Sequence, residues 1–178
     1  MTLTIRLAET SERDVVANLW VAAASWLAQQ GQDQWQYPVK LGGIEAAIHA
    51  STCWLVQRQN GVVLATVTVD TFADPRLWLA EDQPDAARYV HRLVVDRGAN
   101  IPHLGSAILD WASIHAERAG ARWLRLDAWT SNTRLHKYYL EHEFHLVRTV
   151  QAPDIKSGVL FERRAGVTLD LGPTINES

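Results

Sequence analysis

YVHRLVVDRGANIPHLGSAILDWA, Tyr89–Ala112, decides the fold. Its first seven residues have the apolar bulk of a strand, and from Leu104 onward Ile108, Trp111, Ala112, His115 and Ala119 recur at helical spacing until Gly120 stops the helix. A polar turn lies between. WLRLDAW, Trp123–Trp129, follows as a run of near-continuous bulk, which suits a central strand covered on both faces. Strand, helix and strand in this order form a βαβ crossover, and its turn presents backbone N–H groups at a helix N-terminus, where anions bind. The turn lacks the Lys-Ser/Thr of a P-loop and the three glycines of a dinucleotide fingerprint, so both are excluded.

Working outward, Leu3, Ile5 and Leu7 alternate as a strand does, and Thr10-Ser11-Glu12 opens a long amphipathic helix through Val16, Trp20 and Leu27 to Gly31. The Gly31–Gly43 segment reads as a loop and IEAAIHAS as a second helix. CWLVQRQ and VVLATVTVD, joined by Asn60-Gly61, carry the strongest hairpin signal in the chain. TFADPRLWLAEDQPDAAR, with two prolines and four acids, is a long irregular connection. SNTRLHKYYLEHE starts on Ser131 or Asn132 as a cap and runs as a helix, and FHLVRTV and SGVLFERR close as strands. No internal repeat or linker interrupts this order. One domain over residues 1–165 is expected, with 166–178 as a tail that either frays or serves an oligomer contact, such as a homodimer.

Composition narrows the partners. The chain has 178 residues, a formal net charge of -3 and no clustered Lys or Arg, which argues against nucleic acid and for a small molecule or a protein. No apolar run reaches the ~20 residues that span a bilayer, and the N-terminus lacks a signal-peptide layout, so no membrane partner and a cytoplasmic location are expected. The single cysteine, Cys53, reads as a buried thiol. His142 and His145 flank a helix end with no cysteine near, so no metal is expected. Of the eight tryptophans most belong to the core and some to a pocket wall.

Tyr89–Ala112, followed by RWLRLDAWTSNTRLHKYYLEHEFHLVRTV, resembles the core of the GCN5-related N-acetyltransferase (GNAT) family. That family seats the acetyl-CoA pyrophosphate on a Gln/Arg-x-x-Gly-x-Gly/Ala turn and carries Asn-x-x-Ala-x-x-x-Tyr and then Gly-Phe on the next helix. Asn100 stands at the Gln/Arg position, His103 at the first Gly and Gly105 at the second; Asn132, Leu135, Tyr139 and Phe144 fit the second motif, with Glu143 in place of Gly. Pro102 removes one N–H donor from the turn, and His103 is tolerated there if its backbone needs no positive φ.

The resemblance implies an α/β fold with a mixed, mostly antiparallel sheet of six to seven strands flanked by about four helices. It implies an acyl-CoA-dependent N-acetyltransferase that joins acetyl-CoA to a small-molecule or peptide amine by direct attack; the alternative is a catalytically silent domain that binds a ligand or partner. Leu93, Val94 and Val95 would hold the pantetheine arm. Asn100, Ile101, His103, Leu104, Gly105, Ser106, Asn132, Leu135 and Tyr139 would complete the cofactor site, with Tyr139, rather than Tyr138, as proton donor to the sulfur. The intrinsic pKa of a histidine suits His91 to deprotonate an ammonium, directly or through water, with Asp127, Asp70 and Glu81 as other candidates. On the acceptor side stand Trp35, Tyr37, Trp78, Asp127 and Trp129, and the acids Asp74, Glu81, Asp82 and Asp85 either draw a cationic amine or form a solvated loop.

Overall fold

The strands of this protein begin with β1 (Thr2–Leu7), and a short 3-10 turn leads from it into α1 (Arg13–Gln29). The computed structural model describes residues 1–178. After α2 (Leu41–His49) come β2 (Cys53–Gln57) and β3 (Val63–Asp70), then β4 (Ala87–Val95), α3 (Leu104–Arg118), β5 (Trp123–Ala128), α4 (Thr133–Glu141), β6 (His145–Thr149), β7 (Val159–Arg164) and β8 (Thr174–Glu177). Two compact units divide the chain: residues 1–69, 92–108 and 170–178 form one, residues 70–91 and 109–169 the other. Their segments interleave, and β4 and α3 each contribute to both.

In the first unit the strand order runs β4-β3-β2-β1-β8. The Asn60-Gly61 hairpin joins β2 to β3 antiparallel, with Gly61 at φ 83, the left-handed value such a turn requires. β1 alternates as read, burying Leu3 and Ile5, and pairs antiparallel with β2. Its other edge takes β8 in parallel, from Thr2↔Thr174 to Ile5↔Glu177. The strands number eight rather than six to seven, and residues 174–177 of the tail are not frayed but pair along an otherwise open edge of β1. Val16, Ala17 and Trp20 of α1, Ile44, Ala47 and Ile48 of α2, and Cys53 and Leu55 of β2 pack into one core. Burial raises the pKa of the Cys53 thiol, which is therefore inert.

In the second unit the order is β6-β7-β5-β4. β5 runs parallel to β4, the crossover anticipated from the sequence, and antiparallel to β7; β6 pairs antiparallel with β7. Leu124, Leu126 and Ala128 are buried, and so is Arg125, which pairs with Glu162 at 2.9 Å and donates to the Asp82 carbonyl. A central strand thus carries a buried cation only because both its charge and its donors are met. The long connection is anchored by Leu77 and Trp78, which join Ala87, Tyr89 and Leu160 in a second core.

Candidate functional site

β4 is the element from which the site grows. Its parallel pairing with β5 stops at Tyr89↔Arg125, and three residues later Arg92 takes φ 51. A left-handed non-glycine residue inside a strand costs about 1–3 kcal/mol and breaks the pleat, and the burial alternation changes phase here, with both Tyr89 and Val90 buried. Leu93 and Val95, half-buried, and buried Val94 follow this irregularity, where the resemblance puts the pantetheine-holding backbone.

Beyond β4, in the first unit, Asp96 accepts a bond from the Gly98 N–H at 2.9 Å and caps a 3-10 turn that ends on Asn100 at φ 49. His103 has φ 57, so the condition set for tolerating it there is not met: the position keeps a glycine's conformation without glycine. Glu143 repeats this at φ 63. Both residues stand where the related motifs carry Gly, and each accepts a left-handed penalty of about 1–2 kcal/mol. Gly172 passes so near the His103 carbonyl that a Cβ there would lie 2.5 Å from its oxygen, so the tail packs against this turn.

The first intrahelical bond after the turn is Ala107 N–H to the His103 carbonyl, 3.0 Å, which leaves the Leu104, Gly105 and Ser106 N–H groups as the helix-end donors. The Ser106 hydroxyl is buried with no partner inside the fold, an arrangement that costs about 1–3 kcal/mol unless something else accepts from it. Neutral donors at a positive helix end fit a diphosphate. Ile101 is half-buried beside them, whereas Arg97 of the same turn is stacked on Trp26, 3.3 Å from its ring centre.

A second group lies in the other unit. His91 Nε2 is 3.0 Å from Asp70 Oδ1, with both side chains about four-fifths buried (20% and 22% exposed). Burial raises the pKa of the nearby Asp127 carboxyl; the charges of Asp74 and Asp70 push it the same way and His91 opposes them. The exposed Phe72 ring stands 6.4 Å from the imidazole. A histidine, the carboxylate that orients it and a second carboxyl near it thus come together from β3, β4 and β5. Glu81 is exposed on a 3-10 turn.

α4 carries the second motif. Asn132, buried, is the cap anticipated among two candidates: its Oδ1 accepts from the Leu135 N–H at 3.1 Å. Leu135 is half-buried on the same helix. Tyr139 is buried edge-on against Phe144 and beside Phe161, and burial drives its hydroxyl pKa far above the ordinary range, with Tyr138 and Asp127 adding to the shift. Tyr138 is pushed up to about 12, by burial first and the Asp110 charge second.

Of the acceptor-side aromatics, Trp35 packs on Trp20 with ring centres 5.6 Å apart and Tyr37 is exposed under the Lys40 ammonium. Trp78 is corrected: it is a core residue, edge-on to Tyr89 and covered by the Arg125 guanidinium, because the connection it belongs to needs an apolar anchor. Trp129 is buried as well. Two acids of the connection are also spoken for. Asp74 binds Arg76, and Asp82 binds Arg148, so each is held below the usual carboxylate range by its arginine.

The arrangement has known counterparts. The chain has the GNAT fold: a GNAT-family acetyltransferase from Listeria monocytogenes 4b F2365 superposes with a TM-score of 0.75 at 21% identity, over 91% of this chain and 94% of that one. N-acetylglutamate synthase from Neisseria gonorrhoeae, complexed with coenzyme A and N-acetyl-glutamate, gives 0.65 at 17% identity, covering 92% of this chain and 35% of that one. In sequence the chain is 25% identical over 133 residues, 72% of its length and 73% of the other's, to the uncharacterized N-acetyltransferase YesJ of Bacillus subtilis (strain 168). No family model matches. The resemblance read from the two motifs is borne out, and the expected class of enzyme agrees with the names of these relatives. No helix is long and apolar enough to cross a membrane.

Proposed function

We propose that the protein transfers an acetyl group from acetyl-CoA to a primary amine of a small molecule or peptide, by direct attack in a ternary complex. The 3.0 Å pair of His91 and Asp70, at the place where β4 leaves β5, is the observation that carries this reading. Acetyl-CoA supplies the activated thioester. Backbone N–H groups of Leu104, Gly105 and Ser106 bind the diphosphate, and the backbone of Leu93–Val95 holds the pantetheine arm. Asp70 orients the His91 imidazole, which takes the proton from the amine as general base. Asp127 accepts from the same amine.

Tyr139 holds its proton throughout the working pH range. A phenol with a raised pKa giving its proton outright to a thiolate of pKa ~8.5 is uphill, so Tyr139 serves as a hydrogen-bond donor to the sulfur and solvent supplies the proton.

Melting the protein with acetyl-CoA tests the reading. Ligand at about a hundredfold over its dissociation constant stabilises by about 2.7 kcal/mol, a rise of several degrees. No shift at millimolar acetyl-CoA overturns the proposal; a shift without coenzyme A release on any amine supports the silent binding domain instead.

A further inference from the structure

We propose that Arg92, with the aromatic residues around it, binds an oxyanion, a carboxylate or a phosphate, that the acceptor carries on the same molecule as its amine. The inference rests on the acetyl-transfer reading for the word acceptor; the anion site itself stands on the geometry of the first unit alone.

Of the eight buried or half-buried arginines five meet a carboxylate, and Arg58 and Arg88 donate to backbone carbonyls. Arg6 meets Glu12 at 2.7 Å, Arg125 meets Glu162, Arg148 meets Asp82, and Arg163 meets Asp110 at 3.3 Å. Arg92 is half-buried, and its side chain makes neither an ion pair nor a hydrogen bond. Its guanidinium lies 5.8 Å from the centre of the Trp20 ring, and its charge lowers the pKa of both Tyr37 and Cys53 against the larger effect of their burial. Gly43, in the first turn of α2, borders the guanidinium: a Cβ there would stand 3.6 Å from Nη1, at ordinary contact distance.

The surroundings are positive. Lys40 lies 5.6 Å above the Tyr37 ring, while the acids on the neighbouring elements are already engaged, Glu12 by Arg6 and Glu45 by Arg13. A cation removed from water without a counter-charge is unfavourable, and a single ring at 5.8 Å compensates little of it. The backbone adds a second cost, because Arg92 holds φ 51 in mid-strand. A strained residue presenting an uncompensated planar fork beside aromatic walls is suited to a bidentate oxyanion.

The test uses the full chain and acetyl-CoA, with coenzyme A release measured on matched acceptors: L-amino acids beside their carboxamides, and O-phosphoethanolamine beside ethanolamine. The expected result is a kcat/KM at least about tenfold higher for the charged member of one of these pairs. That ratio should collapse to near unity in Arg92→Gln and persist in part in Arg92→Lys, with melting curves verifying that both variants are folded. The pair that discriminates says whether the oxyanion is carboxylate or phosphate. A wild type that takes the neutral member equally well, or an Arg92→Gln that keeps the ratio, overturns the proposal. If no amine reacts, acetyl transfer fails separately, and ligand-detected NMR on the same compounds decides the anion site. Binding of charged members to wild type but not to Arg92→Gln upholds it, and no binding ends it.

Discussion

The turn before α3 and the polar group around His91 serve one proposed reaction, yet they are built in opposite ways. The turn runs through consecutive residues, Asp96 to Ser106, and its donors are backbone N–H groups that almost any amino acid supplies. The His91 group draws Asp70, His91 and Asp127 from three strands and depends on each side chain. A backbone-made site withstands substitution at the cost of some strain, as Asn100 and His103 show by holding left-handed φ values. A side-chain-made site does not.

The contrast sets the order of effects. His91→Ala should lower kcat/KM by about a hundredfold or more at neutral pH and remove the acid limb of the pH–rate profile. A loss below threefold, with the limb kept, would put the base elsewhere. Tyr139→Phe removes one hydrogen bond to a sulfur gaining charge, and kcat should fall roughly tenfold to a hundredfold while acetyl-CoA affinity stays within about twofold. If affinity falls instead, the hydroxyl belongs to binding.

Asp82→Asn addresses the carboxylates that the structure has assigned to arginines. The Arg148 guanidinium lowers the folded pKa of Asp82, so the stability it contributes is present above the ordinary carboxylate range of about 4 and is lost as pH falls through the lower folded value. The variant should therefore melt a few degrees lower at neutral pH and equally at strongly acid pH, with turnover on saturating acceptor unchanged; a large loss of turnover would return Asp82 to the acceptor side. The smallest effect is expected from His103→Gly. It relieves a left-handed penalty of about 1–2 kcal/mol, so the melting temperature should rise while acetyl-CoA affinity changes less than about threefold. A tenfold change would mean that the imidazole itself touches the phosphates.

The same division governs what the sequence made legible. Local periodicity located β4, α3, β5 and α4, and the Asn60-Gly61 turn located the β2–β3 hairpin, because each is decided by neighbours within a few residues. Tyr139 and Asn132 were singled out by the family resemblance, and their spacing puts them on one helix face. Glu143 and His103 hid their meaning, since a left-handed φ is evident from glycine and silent in any other residue. Asp70 as the partner of His91 needed a contact across 21 positions. Trp78 misled because a tryptophan in an irregular, acid-rich connection reads as a pocket wall until the core it anchors is seen. Arg92 left one signal that was passed over: a charged residue in mid-strand, immediately after the histidine.

β8 has a consequence for biogenesis. The edge of β1 is synthesised long before residues 174–177, whose pairing completes its hydrogen bonds. The first unit is sewn from three distant stretches of chain, so its assembly has high contact order and is slow beside the hairpin it contains. Until then a nascent chain displays an unpaired strand, and it is in this interval that a chaperone, or a second nascent copy, has its opportunity.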